Sequence, residues 1–440
     1  MFRQASLLVA GNFISRTLFA LVTIALARRM SPGAYGAFSY ALASVSFASY
    51  FCELGLQKTY LRDASGRIAG WRECTVTALY IRMALMVLVC TTFWAALPWF
   101  VSNQGSRVCI AWMMLPGVAG TVLTNWTTGA MLSRSDSNAI FRARLGAAVA
   151  QVVCVSAGLF LPAPDSMRAR VVALSYGFGL FFGGLCGIRS LNIRSFHLRR
   201  DRVRHFTKGL LRGLHSYTAS GFLYVLAPIL GVLILGKSTD LALVGTFALA
   251  SRVPQFLYTI PGAVGQAFYP RLFQAIRQDR QEAWVDLLSR EIIFLLITGV
   301  LLAATILLTA PLILQLFGHD HDAAYGEALK TAIHIGAAVI FIQSLSTPLG
   351  HALETSGRAH LRNFAQAFAL IVGGILFYEL GIRFGVVGAM LAAVSMESVF
   401  YGGCLMLLLR RMNGADARRI ALPSVCTAAV VLAACTAILI

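Results

Sequence analysis

The chain is a succession of apolar runs, each about as long as a bilayer is thick. Thirteen can be marked, at residues 5–27, 35–57, 75–98, 108–131, 143–162, 171–190, 214–236, 243–270, 291–316, 331–354, 364–384, 386–409 and 420–440. A helix rises 1.5 Å per residue and the hydrocarbon core is about 30 Å thick, so about 20 residues cross it. No water is present there to satisfy backbone N–H and C=O groups, so such runs fold as helices that close their own hydrogen bonds. The predicted class is an all-α polytopic membrane protein of about thirteen transmembrane helices. A soluble enzyme is excluded, because 12% of the residues are charged, about half the share of ordinary globular domains. The first run carries Arg16 at its centre and no small-x-small cleavage site, so it reads as a retained helix and not as a signal peptide.

The formal net charge is +19, and its distribution is topological. Loops after odd-numbered runs hold eight Lys and Arg, whereas the N-terminus and the loops after even-numbered runs hold 26. Basic loops stay cytoplasmic during insertion, which predicts a cytoplasmic N-terminus and, after thirteen runs, a periplasmic C-terminus. No polar domain exists to carry a basic stripe for nucleic acid. The most basic connection, with Arg194, Arg199, Arg200, Arg202, Arg204 and Lys208, reads as a loop lying on anionic lipid headgroups.

Nine cysteines are scattered, without a CxxC pair, so neither a disulfide framework nor a thiolate metal site is expected. His319, Asp320, His321 and Asp322 are consecutive in a loop and set no fixed ligand geometry. Gly177, Gly179, Gly183 and Gly187 lie inside an apolar run, where small residues are close-packing positions. The acceptor-like Asn125-Trp126-Thr127 also falls inside a run.

Sliding the sequence by 209 places Ala25–Ala41 over Ile234–Ala250, matching Gly36 with Gly245, Phe38 with Phe247, Ala41 with Ala250 and Arg28 with Lys237. Six runs precede the basic linker and six follow it. An even number of helices per half gives both halves one orientation, so the expected architecture is two six-helix lobes related by an axis along the membrane normal. The expected organisation is an N-lobe at 1–190, a basic cytoplasmic linker at 191–213, a C-lobe at 214–411 and an extra C-terminal helix at 412–440.

Four stretches resemble one family, the Wzx-type flippases for lipid-linked oligosaccharides, in the superfamily that also holds the lipid II flippases and the MATE exporters. They are Arg28, Met30, Pro32, Tyr35-Gly36 and Phe38 with Glu53-Leu54-Gly55-Leu56 and Arg62-Asp63; Val244 to Ala250 with Pro261 and Tyr269-Pro270-Arg271-Leu272; Leu316-Phe317-Gly318; and Arg383-Phe384-Gly385-Val386-Val387-Gly388-Ala389. Together they cover the chain to about Arg411. The family commonly has twelve or fourteen helices, so a thirteenth is a departure. The resemblance implies a MATE-like fold in the bacterial inner membrane. It also implies movement of an undecaprenyl-diphosphate-linked repeat unit from the cytoplasmic to the periplasmic leaflet by alternating access, for surface polysaccharide such as O-antigen or exopolysaccharide. Partners would be the lipid-linked oligosaccharide, membrane lipids, and a polysaccharide polymerase and chain-length regulator. No cofactor is implied, and no nucleotide-binding phosphate loop occurs, so a proton or sodium gradient would drive the cycle.

Such cargo is anionic and hydrated, and the residues can be asked whether they suit it. Arg16, Arg82 and Arg252 lie within runs, where a charge costs about 2.5–3.5 kcal/mol on insertion scales and so faces a cavity or a partner. Guanidinium matches phosphate oxygens bidentately. In the related lipid II flippases the first and eighth helices line the cavity, which favours Arg16 and Arg252; an internal salt bridge is the other reading for both, and snorkelling is the other reading for Arg82. Asn12 and Gln255 are candidates for sugar contacts, or for interhelical hydrogen bonds. Pro254 and Pro261 kink the eighth run, as a hinge or as a static bend. Glu397 is central in the twelfth run, as an ion-coupling carboxyl or as a partner for an arginine. Glu53 is set against Lys58, and Glu379 precedes Arg383 at the favourable i,i+4 spacing. Two alternatives remain: a MATE-like small-molecule exporter, and a membrane-embedded oligosaccharide polymerase or ligase. The second is disfavoured by short outer loops.

Overall fold

The apolar runs fold as helices because lipid leaves the backbone no other way to satisfy itself. A computed structural model describes residues 2–64, 70–134, 136–162, 164–191, 200–211, 214–317, 323–410, 412 and 420. The helices are α1 (Phe2–Arg29), α2 (Pro32–Glu53), α3 (Leu56–Ala64), α4 (Trp71–Phe100), α5 (Gln104–Ser133), α6 (Ser137–Phe160), α7 (Asp165–Leu191), α8 (Arg200–Leu211), α9 (Leu214–Leu226), α10 (Leu230–Ser238), α11 (Leu241–Leu257), α12 (Thr259–Arg277), α13 (Gln281–Phe317), α14 (Ala323–Thr355) and α15 (Ala359–Leu409). Twelve of the thirteen runs coincide with a described helix, a broken pair or one arm of α15. The run at 420–440 lies outside the described residues except for Ile420. Eight helices among the described residues are long and apolar enough to cross a membrane, or nine with the bent pair α9–α10. Large apolar side chains such as Trp99 and Leu308, 84% and 82% exposed, face outward, as lipid permits and water does not.

The chain divides into two compact units, Met1–Lys237 and Ser238–Ile440. The repeat at offset 209 is visible within each. Ser31 caps α2 and accepts a hydrogen bond from the Ala34 amide, and Asp240, 209 residues later, is the N-cap of α11. Phe38 and Phe247 are both buried, the first edge-on to Tyr176 and the second edge-on to Phe377. The neighbours repeat too: α2 and α4 pack on α5, as α11 and α13 pack on α14. α9 is grouped with the first unit, where the Thr218 hydroxyl donates to the Leu54 carbonyl and the Tyr50 hydroxyl to the Thr218 carbonyl.

α7 wedges between α5 and α6 through the glycines marked in the sequence. A Cβ at Gly187 would stand 2.4 Å from Thr127 Oγ1, and one at Gly179 2.9 Å from the Gln151 Cα. Lipid offers little hydrophobic gain for helix association, so this close backbone approach supplies the packing.

The basic linker differs from the expected loop. Residues 200–211 form the amphipathic α8, seated on α3 and α4 with Leu210 fully buried and Arg62 Nη2 donating to the Gly209 carbonyl at 3.1 Å. Val203, Phe206 and Leu210 repeat at helical spacing, a pattern masked by the arginines between them. The span α9–α10 is bent by 63° at a break that contains Pro228, and the eighth run breaks at Tyr258, between Pro254 and Pro261.

Two spans share α15, joined at Gly385, whose φ of 61° and ψ of −137° only glycine adopts readily. A Cβ at Gly388 would lie 2.0 Å from the Leu380 carbonyl oxygen. The Phe-Gly-Val-Val-Gly stretch is thus a close turn between two spans. Gly385→Ala is expected to destabilise the protein by about 1–3 kcal/mol, and Gly388→Ala by more, because its clash is with backbone. Thermal unfolding of the purified variants measures both, and equal stability of Gly388→Ala and the parent protein would refute the account.

Candidate functional site: a cationic cavity in the first unit

A cavity of about 270 Å³ lies within the first unit, lined by residues of α1, α5, α6 and α7. Its polar wall consists of Ser15, Thr124, Thr127, Thr128, Arg144 and Gln151. Close packing of α7 through its glycines leaves this space on the α1 side, where Gly11 admits Phe141 and Arg144 against α1. Arg144 and Gln151 are seven residues apart and so share one face of α6.

The cavity is cationic. Arg16, next to Ser15, lies close enough to Arg144 for the two positive charges to repel. The buried Gln151 amide nitrogen donates to no acceptor among the described residues. A buried donor without an acceptor costs about 1–3 kcal/mol. One guanidinium, one amide group and four hydroxyls line the cavity, with the exposed Arg16 beside it, and such groups match an anion carrying hydroxyl or phosphoryl oxygens.

The other sequence candidates distribute as follows. Arg16 is exposed and adjoins the cavity through its neighbour Ser15, without lining it. Asn12 lies one turn before it on α1, with its side chain outside the described ones. Arg82 neither snorkels nor lines this cavity: it is 1% exposed, and its Nε and Nη2 donate to the two carboxylate oxygens of Glu53 at 3.0 and 2.8 Å. The Glu53 set against Lys58 in the sequence is therefore the partner of Arg82, joining α2 to α4. In the second unit, Arg252 and Gln255 are half-buried and three residues apart on α11, flanking the buried Pro254. Glu397 accepts a hydrogen bond from Gln343 Nε2 at 2.8 Å. Glu379 and Arg383 form the expected i,i+4 pair at 3.2 Å. The His319–Asp322 stretch lies outside the described residues.

Sequence reasoning missed Arg144 and Gln151. Arg144 was counted with the basic residues of a cytoplasmic loop because it stands at the edge of its run, whereas α6 begins seven residues earlier, at Ser137. The available signal was the seven-residue polar spacing on an otherwise apolar helix.

The MatE family model matches residues 218–378. A search among curated proteins found no match. Among solved structures, the chain is similar to a multidrug resistance MATE family transporter of the MOP superfamily in its inward-facing conformation. The identity is 14%, 93% of this chain and 95% of the other are covered, and the TM-score is 0.75. It is also similar to the lipid II flippase MurJ in an inward closed conformation, at 12% identity, 94% and 90% coverage and a TM-score of 0.69. A third is a MOP superfamily transporter from Pyrococcus furiosus, described as having a binding pocket of reverse polarity, at 14% identity, 96% coverage of both chains and a TM-score of 0.59. The fold is therefore that of the MATE and MurJ transporters, an all-helical multi-span membrane protein.

Proposed function

We propose that this chain is a flippase for a polyprenyl-diphosphate-linked oligosaccharide, moved from the cytoplasmic to the periplasmic leaflet of the bacterial inner membrane by alternating access between two lobes. The observation that carries the reading is Arg144 in the wall of a hydroxyl-lined cavity in the first unit, with Arg16 close by. A diphosphate relieves the repulsion between two guanidiniums, and sugar hydroxyls match the threonines and Gln151. The likeness to a lipid II flippase fold supports the same cargo class. Arg252 and Gln255 form the second polar element, on α11. Pro254 and Pro261 flank the break that permits α11 and α12 to move as separate segments. An ion gradient, proton or sodium, drives the cycle, with Glu397 as one coupling carboxyl. The polyprenyl tail stays in lipid and needs no polar path.

The experiment uses the full chain reconstituted into vesicles containing a fluorescent undecaprenyl-diphosphate-linked saccharide. Protein-dependent exposure of the saccharide to an enzyme added on the opposite face is the expected result. Uptake of a cationic dye in the same vesicles, without saccharide movement, would instead make the protein a small-molecule exporter and sink the flippase reading.

A further inference from the structure

In the second unit a carboxylate is buried that the anion cavity does not use. Glu291, ten residues into α13, is 0% exposed. Its Oε1 lies 2.8 Å from Nδ1 of His351 on α14, and its buried Oε2 meets no hydrogen-bond donor among the described residues. The imidazole, 20% exposed, is the accessible member of the pair. With Nδ1–H donating to the carboxylate, Nε2 is left to take a proton.

The groups facing the pair come from α14 itself and from two further helices, α12 and α15. On α12, the Tyr269 ring sits edge-on to His351 with centroids 5.0 Å apart, and its hydroxyl is hydrogen-bonded to Glu354 on α14. Glu354 in turn accepts from Arg362 on α15 at 2.7 Å, near the buried Cys404. The charge of Glu354 is thus already balanced by Arg362, which leaves Glu291 to His351 alone. A carboxylate beside a neutral imidazole is a net buried negative charge, and removing such a charge from water costs several kcal/mol. One added proton cancels it: the proton bonds to Nε2, and the pair becomes a neutral imidazolium–carboxylate unit.

The site lies against α12. A Cβ at Gly265 on α12 would stand 2.5 Å from His351 Cε1, so glycine alone lets α12 lie on the imidazole. Two turns before Gly265, the Tyr258 hydroxyl at the α11–α12 break shares a hydrogen bond with Thr347 of α14 at 3.0 Å.

We propose that Glu291 and His351 form a proton-binding site whose occupancy sets how α12 docks on α14. Its use in transport rests on the flippase reading; the proton site itself does not. The test takes purified full-length protein in lipid nanodiscs from about pH 9 to about pH 5, the range in which imidazole and desolvated carboxyl groups titrate. Two readouts are followed: the infrared carboxyl bands, and amide exchange of residues 259–277 corrected for its intrinsic pH dependence. The expected result is a Glu291 carboxylate band that shifts with pH as the imidazole takes its proton in the parent protein, is lost in Glu291→Gln, no longer shifts in His351→Gln and persists in Glu397→Gln. Protection of α12 should change along the same titration and become independent of pH in Glu291→Gln. Glu291→Asp, which keeps the acid, should retain a titrating band and shows whether a loss in the glutamine variant reflects misfolding. A band unchanged in Glu291→Gln, or α12 protection indifferent to pH in the parent protein, would overturn the proposal. If parent-protein vesicles move no saccharide, the flippase reading falls, and these two readouts still decide the proton site.

Discussion

Arg144→Ala should lower delivery of lipid-linked glycan by about two to three orders of magnitude while leaving the protein in the membrane at its normal level. One cation about 4 Å from a phosphate charge is worth roughly 4 kcal/mol at an effective dielectric near 20, before desolvation is subtracted. Each ~1.4 kcal/mol is tenfold. A purely structural arginine would behave oppositely, losing abundance and activity together. Arg144→Lys should recover part of the activity, since an ammonium keeps the charge but not the two-pronged geometry. Gln151→Leu removes a donor to a charged acceptor, worth about 1.5–3 kcal/mol. Arg252→Ala, in the second unit, belongs in the same series, and membrane protein level and surface glycan are read in the same cells. Normal glycan display in Arg144→Ala, Arg16→Ala and Arg252→Ala, at normal protein levels, would remove the arginines from the anion site.

Arg82→Ala should have the largest effect on stability, about 3–5 kcal/mol, because it strands the Glu53 carboxylate inside the first unit. The pair is held by two parallel hydrogen bonds, and Arg82 Nη1 is itself buried without an acceptor among the described residues. The ion pair is therefore not an optimum. Replacing both members by apolar residues, as in Arg82→Met with Glu53→Leu, should restore most of the loss. Denaturant unfolding of the purified single and double variants measures this. A single alanine variant as stable as the parent protein would show that water or lipid headgroups reach the carboxylate.

Hydropathy alone located the spans, because transfer into lipid is a property of each segment taken by itself. Twelve runs coincide with described helices for that reason. The offset of 209 was legible from four identities, Leu26 with Leu235, Gly36 with Gly245, Phe38 with Phe247 and Ala41 with Ala250, since both halves reuse one helix start, with Ser31 and Asp240 at the N-cap position. The α7 glycines and the Glu379–Arg383 pair were legible too, as spacings along one helix. What the sequence could not decide depends on how each helix is rotated about its axis and which distant helix it meets. Arg82 and Glu53 are 29 residues apart, and Glu291 and His351 are 60 apart. Arg144 reads as a loop charge until α6 is seen to start at Ser137. In lipid nearly every apolar face is an acceptable neighbour, so close packing and the few polar groups choose the partners, and only the tertiary structure records that choice.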